Sequence, residues 1–113
     1  MDNNEKNTEM SSVVSKPCFI MVQVNFKNLE DSMQRYGQFA IPIITKYGGQ
    51  MVAGTSTPIN LEGDWDGNWA AVLKFPSKDN ALNFYKANDY QPFLDLRLNE
   101  LQSESRVMML EGF

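Results

Sequence analysis

A chain of 113 residues with 42% apolar and 12% aromatic content suits one globular domain with a small core, and excludes a disordered or fibrous protein. The net charge is −4, and three Arg and seven Lys lie scattered along the chain, so the concentrated positive field that nucleic acid requires is missing. There is no histidine and one cysteine, Cys18, which removes histidine-based catalytic pairs, histidine metal ligation, thiolate zinc clusters and internal disulfides.

Residues 1–17 are polar, with Val13-Val14 as their longest apolar run, and read as a tail ahead of a single domain over 18–113. Nothing there resembles a secretory leader, and no segment reaches the ~18 apolar residues of a membrane span. The expectation is a cytoplasmic protein with no membrane partner.

From Cys18 to Phe26 the chain alternates at period two, with Ile20, Val22, Val24 and Phe26 on one face of a strand and Phe19, Met21, Gln23 and Asn25 on the other. Asn28 can cap a helix whose first turn carries Glu30 and Asp31, which complement the helix dipole. Leu29, Met33, Tyr36, Ala40, Ile43, Ile44 and Tyr47 draw its apolar stripe, Pro42 predicts a kink, and Gly48-Gly49 stops it. Strands follow at about 50–55 and 69–75, with Asp66-Gly67 between them suited to a tight hairpin turn. Ser77 caps a helix with Ala81, Phe84 and Tyr85 on one face, breaking near Asn88. A shorter helix from about Asp89 tolerates Pro92 in its first turn and groups Tyr90, Leu94, Arg97, Leu98 and Leu101. Arg106 to Glu111 reads as the last strand.

The order β-α-β-β-α-β is the ferredoxin-like, α+β arrangement, with helices on one face of a four-stranded antiparallel sheet. The other face is not polar: Phe19 and Met21 lie on it, and the last strand is apolar on both faces, through Val107 and Met109 against Met108 and Leu110, so that a monomer would leave much of this in water. A two-fold homodimer packed sheet against sheet, a dimeric α/β barrel, covers them.

The stretch from Tyr36 to Gly112 resembles the bacterial family called domain of unknown function 1330. The resemblance is carried by Tyr47-Gly48-Gly49, Leu61-Glu62-Gly63 with Trp65, Phe75-Pro76-Ser77, Ala81, Tyr85, Tyr90-Gln91, Arg97 and Glu111-Gly112. It implies a ferredoxin-like dimeric α/β barrel and no particular reaction. The wider superfamily includes cofactor-free monooxygenases, isomerases, decarboxylating enzymes, haem-binding members and domains without catalysis, which is fold-level analogy only. The family commonly has Arg where this chain has Gln50, a glycine pair where it has Gly54-Thr55, and Trp where it has Phe84. The missing arginine weakens the case for an anion contacted from that strand.

Arg97 is the most informative residue, because a guanidinium on an apolar helical stripe costs several kcal/mol unless paired. Two readings stand: an ion pair with Glu62, or a bidentate grip on a ligand carboxylate or enolate. Without histidine, Glu62 or a tyrosine would have to carry protons, and Glu62 with Arg97 as charge holder are the candidate catalytic residues. Tyr90, Trp65 and Tyr85 are candidate ligand-binding walls. Asp64-Trp65-Asp66-Gly67-Asn68 resembles the opening of a calcium loop but lacks its remaining ligands and reads as a turn. No metal or cofactor is expected. Two functions follow: a cofactor-free enzyme on a small anionic or carbonyl compound, or a non-catalytic ligand-binding or structural dimer.

Overall fold

The computed structural model describes residues 15–113. The expected N-terminal tail, residues 1–17, falls outside the described residues for its first 14 positions. The first strand, β1 (Cys18–Phe26), alternates as its sequence requires: Cys18, Ile20, Val24 and Phe26 are buried, while Met21 on the opposite face is exposed. Strand β2 (Gln50–Thr55), β3 (Trp69–Phe75) and β4 (Gln102–Glu111) complete an antiparallel sheet in the order β2-β3-β1-β4. This is the ferredoxin-like, α+β fold. β4 begins four residues before the expected Arg106, because Gln102 already pairs with Phe26.

Helix α1 (residues 29–46) has three parts: Leu29–Ser32, a π-helical turn at Met33–Gly37, and Gln38–Lys46. Asn28 caps it, its side-chain Oδ1 accepting from the Asp31 N–H at 2.9 Å. Pro42 sits within the last part and removes the N–H due to the Gln38 carbonyl, yet the helix carries through to Lys46. The departure from α geometry lies a turn earlier than the expected kink, in the wider π turn. Gly48, at φ 88°, lets the Gly49 N–H reach back to the Ile44 carbonyl at 2.9 Å and so ends the helix. Gly49 then lies against Phe75 so closely that a Cβ would stand 2.5 Å from the ring.

Helix α2 (Lys78–Lys86) starts at Ser77, whose Oγ accepts from the Asn80 N–H at 3.2 Å. Helix α3 (residues 91–101) runs as Gln91–Leu96 and closes in a second π turn, Arg97–Leu101. That turn shifts the helix phase: Leu98, expected on the buried face, is exposed, whereas Leu101 is buried. The core lies between helices and sheet, where Phe75 stacks on Phe84 at 5.5 Å and Phe84 meets Tyr90 at 4.5 Å between ring centroids.

The β2–β3 connection is not a tight hairpin. Residues 56–68 form an irregular loop, pinned by Asn68, whose side chain accepts from the Phe26 N–H at 2.8 Å and donates to the Phe26 carbonyl at 2.9 Å. Asn68 thus extends β1's pairing as a strand residue would. Gly67 is required by contact, since a Cβ there would overlap the Trp65 indole at 2.1 Å. Among the described residues no helix is long and apolar enough to cross a membrane.

Candidate ligand-binding site

Arg97 opens the π turn of α3 and Tyr36 lies within the π turn of α1. Such turns widen the helix and present side chains that regular α geometry would place elsewhere. The two turns face each other, with the Arg97 guanidinium carbon 5.6 Å from the Tyr36 ring centroid. At the surface, Arg35 bridges the same pair of turns, binding Asp31 at 3.2 Å on its own helix and Glu100 on α3. Behind the guanidinium, the Tyr36 and Tyr90 hydroxyls are hydrogen-bonded at 2.6 Å.

Arg97 is 3% exposed. Its Nη1 donates to Oε1 of Gln102 at 2.7 Å, and its Nε is buried without a partner. No carboxylate pairs with it among the described residues, whose ion pairs are Arg35–Asp31, Arg35–Glu100 and Lys46–Asp89. Burial works against the charge, but the neighbouring Tyr36 and Tyr90 oxygens hold the Arg97 pKa above its ordinary range. Burial pushes the Tyr90 phenol far up, with Tyr36 adding to the shift and Arg97 opposing it. Tyr90 therefore stays protonated and serves as a hydrogen-bond donor rather than a base. A neutral amide, a ring face worth about 0.5–2 kcal/mol and the two tyrosine oxygens face the guanidinium, and among the described residues no carboxylate is with them.

Arg97 and Tyr36 form the polar part of an otherwise apolar cavity of about 140 Å³ between α1 and the sheet. Val22, Val24, Ala71 and Leu73 make its floor. Ile41 and Met51 stand at its mouth, each partly in water. An apolar cavity of roughly 150 Å³ accepts one benzene ring, so the space holds about one small ring beside the guanidinium.

The expected site residues divide into two groups. Arg97 and Tyr90 come together as anticipated, and Tyr85 joins them, its ring 6.0 Å from that of Tyr90. Glu62 does not: it is exposed in the 56–68 loop, lines no wall of the cavity, and forms no ion pair with Arg97. Trp65 belongs to the same loop and lies 4.5 Å over Arg106, which shares the outer face of the sheet with Gln23. Neither residue reaches Arg97, because Asn68 and Gly67 fold the loop toward the end of β1 and onto Trp65. Two site residues were not singled out from the sequence. Tyr36 carried a signal, a hydroxyl on an apolar helical stripe; Gln102 carried none, since its role depends on where α3 ends.

Residues 17–113 match the family described as Domain of unknown function (DUF1330). The chain belongs to that family. A solved structure of the RPA0582 protein of unknown function from Rhodopseudomonas palustris is similar, with a TM-score of 0.71 at 17% identity, over 88% of this chain and 84% of that one. A dabb family protein with a ferredoxin-like fold from Mesorhizobium loti has a TM-score of 0.61 at 10% identity, covering 88% and 99% of the two chains. A dimeric ferredoxin-like protein of unknown function from Thermobifida fusca has a TM-score of 0.55 at 9% identity, covering 96% and 100%. Identities this low show the fold alone. No curated protein matches the chain.

Proposed function

We propose that this DUF1330 protein is a homodimeric binding protein for a small, largely apolar molecule that carries a carboxylate or enolate, with Arg97 as the anchor of that charge. One observation carries the reading: a buried guanidinium with no carboxylate partner among the described residues stands at the wall of an apolar cavity. Buried charges are ordinarily paired, and a missing counter-charge beside an empty volume is supplied by a ligand. Planar carboxylates match the guanidinium fork, and the Tyr36–Tyr90 hydroxyl pair adds a donor. Enzymatic turnover with Glu62 as the base lacks this support, since among the described residues no Asp or Glu lines the cavity and Tyr90 holds its proton.

Dimerisation is supported by the sheet's outer face. Met21 and Met108 pair across β1 and β4, Phe19 pairs with Leu110, and Met21 also pairs with Val72 of β3. Met21, Met108 and Leu110 are exposed, and the buried Trp65 Nε1 beside this face has no acceptor among the described residues. A second copy covers such a surface economically. The related Thermobifida fusca fold is dimeric. The cytoplasm is the compartment proposed, in keeping with a buried, free Cys18.

Native mass spectrometry with added benzoate tests both parts. The reading expects a dimer carrying one benzoate per chain, and a dimer of Arg97→Met carrying none. A monomer removes the assembly, and equal loading of both proteins removes Arg97 as the anchor.

A further inference from the structure

Two further spaces lie between helices and sheet near the cavity beside Arg97. A second, of about 30 Å³, shares Val22, Tyr36, Leu73 and Arg97 with it. A third, of about 170 Å³ between α2 and β4, shares Ile20, Tyr85 and Val107 with the second. The three thus form a row: a ring-sized cavity under α1, a narrow neck beside Arg97 and Tyr90, and a ring-sized cleft under α2. Both end spaces are lined almost wholly by apolar side chains, Leu82 and Met109 marking the far cleft. Among the described residues, the only charged side chain lining any of the three is Arg97, at their middle.

We infer that the ligand is two-armed, with its anionic oxygens near the centre of the molecule and an apolar arm in each end cavity. This rests on Arg97 being the anchor. A ligand charged at one end would fill one cavity and leave the other empty, forgoing the apolar burial that the second offers. The middle space, at about 30 Å³, is far smaller than the roughly 150 Å³ cavity that accepts a ring, and suits a slender aliphatic link. The chemical class is therefore a branched carboxylate or an enolised dicarbonyl compound. In either, two oxygens face the guanidinium fork while carbon chains leave in opposite directions.

Titration calorimetry with benzoate, octanoate and 2-propylpentanoate separates this inference from the anchor. The last two are isomers that differ in whether the carboxylate is terminal or central. The expected result is that 2-propylpentanoate binds about tenfold tighter than octanoate, through the methylenes buried in the second cleft. Leu82→Trp, which fills the cleft under α2, should abolish that advantage and leave benzoate binding intact. Should that variant fail to fold, Met109→Trp on the exposed edge strand fills the same cleft. Equal binding of the isomers, or an advantage that survives the filled cleft, overturns the two-armed ligand while benzoate binding preserves the anchor. Failure of all three compounds to bind overturns the anchor and the inference with it.

Discussion

Arg97 donates to Gln102 at 2.7 Å, and the Tyr36 and Tyr90 oxygens stand beside the same guanidinium. Gln102 is itself held by a bond from its Nε2 to the Ser105 Oγ at 2.9 Å, so its carbonyl oxygen is already oriented when it accepts from Arg97. The arrangement positions the guanidinium without neutralising it. Under the proposed function the protein supplies the geometry and the ligand the counter-charge.

The hydroxyl pair behind Arg97 has a consequence at alkaline pH. Burial raises the Tyr90 pKa above the ordinary value of about 10, so the unfolded chain loses this proton at lower pH than the folded one. The associated stability is fully present below pH ~10 and falls as pH rises beyond it, by up to about 1.4 kcal/mol per unit. Tyr90→Phe should be less stable at neutral pH by about 1 kcal/mol, from the lost bond to Tyr36. Its stability should also decline less steeply above pH 10. Urea titrations of both proteins at several pH values measure the two slopes; equal slopes contradict the assignment.

How much of this was legible in the sequence depends on the distance over which each feature is determined. β1 and the apolar stripe of α1 are periodic, so Ile20, Val24, Ala40 and Ile44 could be placed in the core from spacing alone. The burial of Arg97 was legible in the same way, from its place between Leu94 and Leu101. The π turns were not, because an extra residue in a helical turn depends on packing and leaves no periodic signature. The Tyr36–Tyr90 bond joins residues 54 positions apart, and spacing says nothing at that range. The expected Glu62–Arg97 pair failed for a related reason. The loop's path is set by two Asn68 bonds to Phe26 and by Trp65 against Gly67, neither of which shows as a pattern.

The close approach at the end of α1 should make Gly49 intolerant of a side chain. A Cβ would lie 2.5 Å from the Phe75 ring and 2.8 Å from the Ile44 Cγ2, both buried in the core. Gly49→Ala should cost about 1–3 kcal/mol through overpacking. Thermal melting reads this as a fall of at least ~5 °C in a domain of this size. An unchanged Tm would mean that the turn relaxes freely.

Cys18 is the first residue of β1 and is fully buried. Burial pushes its thiol pKa up, and Glu111 across the sheet adds to the effect. A buried thiol of raised pKa is a poor nucleophile. A thiol-specific reagent at pH 8 should therefore label the native protein at the rate of unfolding and the denatured protein at once. Immediate labelling of the native protein would show that β1 opens at this end.

The outer sheet face is tested by one charge. Met108, 60% exposed, pairs with Met21 near the centre of that face. Met108→Asp should give a folded monomer by analytical ultracentrifugation, with far-ultraviolet circular dichroism unchanged. A variant that stays dimeric would place the interface elsewhere.

The central claim is that the charge of Arg97 is held at a cost for a ligand, and melting curves with and without benzoate test it most directly. Arg97→Met keeps an unbranched apolar stem, shorter than the arginine, and removes the charge. Without ligand it should melt at the same temperature as the wild type or higher, since replacing an uncompensated buried ion with an apolar group is neutral or stabilising. Benzoate should raise the Tm of the wild type in a concentration-dependent way and leave the variant unmoved. An Arg97→Met protein that melts many degrees lower, with benzoate shifting neither protein, would show that the guanidinium is structural and contradict the account.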